Sequence, residues 1–104
     1  MIRHIVLIRF KPDVSEAQIG AMFAALPTLA AKLGVMAFAS GRSESPEQIE
    51  RGYMHGFTID FASWNALKTY ADDPDHKAFG ARLVANAVGG LDGLLVFDLV
   101  VPPV

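Results

Sequence analysis

The chain has 104 residues, no cysteine and a formal net charge of −2. These figures point to one domain over residues 1–104, and they exclude disulfides, Cys-based zinc sites and thiol chemistry. Lys and Arg are scattered, so there is no electrostatic footprint for nucleic acid. No apolar run approaches the ~20 residues needed to span a bilayer. Met1-Ile2-Arg3-His4 lacks the pattern of a signal peptide, so the expectation is a cytoplasmic protein with no membrane contact. Apolar residues make up 52% of the chain and charged residues 19%, an apolar excess that asks for cover by a partner chain.

In chain order, Ile2 to Phe10 is rich in β-branched and aromatic residues and reads as a central strand, apolar on both faces. Ser15 offers an N-cap with Gln18 as its capping-box partner. Ile19, Met22, Phe23, Leu26, Leu29, Ala30 and Leu33 then recur at helical spacing. Pro27 should kink or split that helix, and Gly34 should close it. Val35 to Gly41 is a second strand. Arg42 to Gly52 is a polar loop, with room for a helical turn after Ser45-Pro46. Tyr53 to Phe61 alternates cleanly as a third strand. Ser63 starts a second helix that ends before Asp72-Asp73-Pro74. A further helix spans about His76 to Val88, with Phe79, Leu83 and Val88 inward. Gly89-Gly90 stops it. Leu91 to Val101 is the last strand, ended by Pro102-Pro103.

This order predicts an α+β fold of ferredoxin-like β-α-β-β-α-β type. Four antiparallel strands in the order fourth, first, third, second would carry the helices on one face. The other face would expose Ile5, Leu7, Met36, Phe38, Leu95, Phe97 and Leu99, too large a patch for a monomer. Pairing two such faces gives a homodimer, a dimeric α+β barrel.

The three histidines can then be placed. His4 and His55 lie near the starts of the first and third strands. Those two strands are read as adjacent and parallel, so the two side chains are neighbours if they share a face. Asp98, near the end of the fourth strand, approaches His4 from the other side. Tyr70 and His76 flank the Asp-Asp-Pro turn where the second helix returns. All five polar groups are thus expected at one end of the helix-covered face, in a pocket fit for a small molecule. Three His and a carboxylate could serve a metal, but no two His have the close helical spacing of strong metal motifs, so no metal and no cofactor is expected. Gly89-Gly90 lacks the pattern of a phosphate loop.

His4-Ile5-Val6-Leu7-Ile8-Arg9-Phe10-Lys11, Arg51-Gly52-Tyr53-Met54-His55, the stretch from Tyr70 to Phe79 and Leu95-Val96-Phe97-Asp98 together resemble the stress-responsive dimeric α/β-barrel (Dabb) family over nearly the whole chain. The resemblance implies a ferredoxin-like homodimer. Most members have no established activity. The polar positions are similar to those of the family's plant polyketide-cyclase branch, where a Tyr-His pair promotes an aldol condensation without a cofactor. That likeness implies His76 as general base and Tyr70 as its holder or as the group that polarises the carbonyl. It implies His4, His55 and Asp98 as substrate-orienting groups and Val6, Ile8, Phe23, Phe57 and Phe79 as the apolar wall. Met22 and Leu26 depart from it, standing where that branch has aromatic residues. The alternatives are a non-catalytic stress-response or ligand-binding dimer and a cofactor-free monooxygenase.

Overall fold

A computed structural model describes residues 1–102, so Pro103, part of the expected end of the last strand, lies outside the described residues. The strands are β1 (Ile2–Ile8), β2 (Ala37–Arg42), β3 (His55–Phe61) and β4 (Leu94–Val100). The helices are α1 (Glu16–Phe23), α2 (Leu26–Leu33), α3 (Trp64–Asp72) and α4 (Pro74–Ala85), and a 3-10 turn over Gly90–Gly93 leads into β4.

Local chemistry sets these boundaries. Ser15 Oγ accepts from the Gln18 amide at 3.1 Å, and Gln18 Oε1 accepts from the Ser15 amide at 2.7 Å, so two orphan donors are satisfied at the start of α1. The helical run splits at Ala24-Ala25. Pro27 falls in the first turn of α2, where its missing N–H costs nothing. Gly34 ends α2 at φ +64°, a conformation that favours glycine. Ser63 caps α3 through the Ala66 amide.

The sheet order is β2-β3-β1-β4, antiparallel throughout. The crossover through α1 and α2 leaves β1 and β2 parallel, and β3 turns back from β2 to lie between them, antiparallel to both. The expectation that the first and third strands run parallel is therefore wrong. His4 pairs with Ile59 and Asp98, whereas His55 pairs with Ile8. The two histidines sit at opposite ends of the sheet, about 13 Å apart along the strands at ~3.3 Å per residue.

Smaller expectations also shift. Val35, Tyr53, Met54 and Leu91 lie outside the strands, and Pro46-Glu47 forms a turn without a helix. Helix α4 stops at Ala85, so Val88 is exposed instead of inward. None of the helices is long and apolar enough to cross a membrane, among the described residues.

One face of the sheet builds the core. Ile2, Val6, Ile8, Phe57, Ile59 and Phe61 pack beneath Ile19, Met22, Phe23, Leu26, Tyr70, Phe79 and Leu83. The opposite face is bare: Leu7, Leu95, Phe97 and Leu99 are 38–59% exposed. Phe38, expected on that face, pairs with Ile59 and so lies on the helix side of edge strand β2, and Met36 falls just before that strand beside α2. Edge strand β4 is open on its helix side too, at Val96 and Val100.

Candidate active site

Tyr70 lies in the last turn of α3, and His76 in the first turn of α4. Between them Asp73 ends one helix and caps the next, with Pro74 at the first helical position. This sharp corner brings the two rings into contact, with centroids 4.0 Å apart and planes tilted by 43°. His4 reaches the same place from β1, its ring centroid 5.9 Å from that of Tyr70. Asp98 stands behind His4, with Oδ1 2.6 Å from His4 Nδ1.

These groups border a cavity of about 240 Å³ between the sheet and the α3–α4 layer. His4, Tyr70 and His76 supply its polar rim, and Val6, Phe57 and Phe79 part of its apolar wall. Leu67, Gly80, Leu83, Leu94 and Val96 add to the wall, as does Ala71 beside Tyr70. The sequence gives little warning of these residues, because their periodicity marks only core-facing positions. No Lys, Arg, Asp or Glu lines the cavity.

The polar groups are arranged unequally. His76 Nδ1 lies 3.2 Å from the Ala71 carbonyl, so it carries the proton and leaves Nε2 with a lone pair. Burial is the largest influence on His76, and it holds the imidazole below its ordinary value of 6.5, hence neutral at pH 7. His4 is fixed in the same tautomer by Asp98, which leaves its Nε2 unspent. Tyr70 is 1% exposed, and its hydroxyl has no hydrogen-bond partner among the described residues. Burial pushes that phenol up, so it stays protonated and available as a donor. It contacts His76 by ring packing, with no hydrogen bond between them.

His55 does not join this group. It lies 8% exposed at the far end, with Nε2 3.0 Å from both Glu16 carboxylate oxygens. Arg42 Nη1 donates to Glu16 Oε1 at 2.7 Å. Phe23 lines the hollow of about 340 Å³ beside this trio and is absent from the Tyr70–His76 cavity. Ile8 is fully buried and lines neither space. Antiparallel register, once drawn, places residue 55 at the end of β3 nearest the start of α1. That was the available signal for Glu16.

The fold and site define a small ferredoxin-like domain with a polar-rimmed apolar cavity. The chain belongs to the Stress responsive A/B Barrel Domain (Dabb) family, whose pattern it matches over residues 2–101. It is 32% identical over 98 residues to the stress-response A/B barrel domain-containing protein HS1 of Arabidopsis thaliana, covering 93% of this chain and 86% of that one. A dimeric ferredoxin-like protein of unknown function from Jannaschia sp. CCS1 superposes with a TM-score of 0.89 at 35% identity, covering 96% of this chain and 98% of that one. The hydroxynitrile lyase of Passiflora edulis superposes with a TM-score of 0.83 at 20% identity, covering 99% and 94%, which shows a shared fold.

Proposed function

We propose that the chain is a cofactor-free enzyme that removes a proton from the carbon next to a carbonyl in a small compound, as in aldol, cyclase or isomerase chemistry. The observation that carries this reading is the buried, unpartnered Tyr70 hydroxyl beside a His76 whose Nε2 is free. His76 Nε2 takes the proton, and the C–H electron pair moves onto the carbonyl oxygen. The Tyr70 O–H donates to the enolate oxygen that forms, inside a largely apolar cavity. His4, set by Asp98, orients the substrate through its own Nε2. The enolate then attacks a second carbonyl of the same molecule or recovers its proton at another carbon.

The working unit in this proposal is a homodimer. The bare sheet face leaves Leu7, Leu95, Phe97 and Leu99 exposed, a patch that a second copy would cover. The cysteine-free sequence fits a reducing, cytoplasmic setting. The family description favours a second reading, a stress-response dimer that binds a ligand without converting it.

Proton NMR in D2O over a panel of small ketones and 1,3-diones tests the first reading. Wild-type protein is expected to speed α-proton washout for at least one compound, and His76→Ala to remove that acceleration. Acceleration equal in both proteins, or none across the panel, would contradict it. The mass in solution is expected to be that of two chains, and a monomer at micromolar concentration would remove the dimer.

A further inference from the structure

The corner carrying Tyr70 and His76 is held by more than its own two helices. Asp73 is 8% exposed at its side chain. Its Oδ2 accepts from the amides of Asp75 and His76, at 2.9 and 3.0 Å. Its Oδ1 lies 2.8 Å from Lys32 Nζ. Lys32 belongs to α2 and also reaches Asp75 Oδ2 at 2.9 Å. Capping alone needs one oxygen, and Asn or Ser would supply it. Here the second oxygen is spent on a cation brought from a different helix, and the first is bonded to the backbone of His76 itself.

The geometry points to Asp73, gripped by Lys32, as the positioning residue for His76: it fixes where the imidazole stands over Tyr70 and sets the charge the imidazole faces. This rests on the reading of His76 as the base.

The groups around His76 give the inference its sign. From β1 it faces His4, with Asp98 of β4 behind that ring. From α3 it faces the Tyr70 phenol and the Ala71 carbonyl. Its own helix presents Asp73, Asp75 and Lys77, and α2 presents Lys32 through the two carboxylates. Burial, His4 and Lys77 favour the neutral imidazole, whereas the Ala71 carbonyl and Asp73 favour the protonated one. Lys32 offsets part of the Asp73 charge. Removing Lys32 therefore leaves the Asp73 charge stronger at His76, and removing the Asp73 charge leaves His76 more neutral. A purely structural clamp would loosen the corner in the same way in both cases.

Three variants separate these outcomes: Lys32→Met, which keeps the apolar stem; Asp73→Asn, which keeps a capping oxygen; and Lys32→Arg, which keeps the charge. Asp73 stays ionised in Lys32→Met across the range where histidine titrates, because the two amides still hold it. The readout is an NMR titration of the His76 ring C–H signals in the full chain, without substrate. The His76 midpoint is expected to rise in Lys32→Met, fall in Asp73→Asn and stay near wild type in Lys32→Arg, while both charge-removing variants melt earlier. Shifts of the same sign in Lys32→Met and Asp73→Asn, or none in either, would overturn the inference. Since no substrate is involved, that failure would leave the role of His76 as base to the exchange assay.

Discussion

The two ends of the helix-covered sheet face hold similar residues in opposite states. At the far end, His55, Glu16 and Arg42 satisfy one another, with His55 Nε2 already committed to a carboxylate. At the near end, His76 Nε2 and the Tyr70 hydroxyl are left unspent against an apolar wall. The far trio ties β2, β3 and α1 together. The near group has reactive atoms to offer. Chemistry requires polar atoms that folding has not used, and folding tolerates them at a cost of ~1–3 kcal/mol for each buried unsatisfied group.

A pair of glycines gives the largest test of this contrast. Gly80 of α4 lines the near cavity, and Gly20 of α1 lines the far hollow. A Cβ added at either meets nothing within 4 Å. Replacing either by Leu should raise helix stability by roughly 0.5–1 kcal/mol. Gly80→Leu puts its side chain where substrate would sit and should cut α-proton exchange by more than about 10²-fold; Gly20→Leu should leave the rate within a few-fold. Equal effects on exchange would erase the distinction between the ends.

Tyr70→Phe sharpens the same point with opposite signs in two measurements. Removing an unpartnered buried hydroxyl should stabilise the fold by about 1 kcal/mol, read as a higher melting temperature. It should also lower exchange by about 10²–10³-fold, the usual loss of one oxyanion donor. A lower melting temperature would mean that the hydroxyl is bonded within the folded protein.

The fold was legible because its signals are local and periodic. The Ser15-Gln18 box, Pro27, Gly34 and the alternation of Phe57, Ile59 and Phe61 each act within a few residues. Part of the near cluster was legible for a related reason: Tyr70 and His76 flank one Asp-Pro corner, and His4 and Asp98 are direct cross-strand partners. The expected placement of His55 fails because the first and third strands, neighbours in the sheet, run antiparallel. A reversal of direction moves a residue from one end of the sheet to the other and takes Phe23 with it. The grip of Lys32 on Asp73 joins residues 41 positions apart and depends on how α2 packs, which no local pattern records.

The smallest expected effect concerns the far end. Glu16 is held below the ordinary carboxylate value of 4.5, chiefly by its hydrogen bond to His55 and then by Arg42. A depressed carboxylate contributes stability that is fully present above its unfolded value and is lost as pH falls through its folded one. Glu16→Gln should therefore lose less stability than wild type between about pH 5 and pH 3 in urea melts, with exchange activity at neutral pH unchanged. Parallel acid profiles in the two proteins would detach Glu16 from the stability of that end.

The most direct measurement is the α-proton exchange rate of His76→Gln beside His55→Gln, on one ketone that the wild type accelerates. The free Nε2 at the near end predicts a loss of about 10²–10⁴-fold for His76→Gln, the usual worth of a general base, and a rate close to wild type for folded His55→Gln. The reverse pattern, with activity surviving at residue 76 and lost at residue 55, would contradict it.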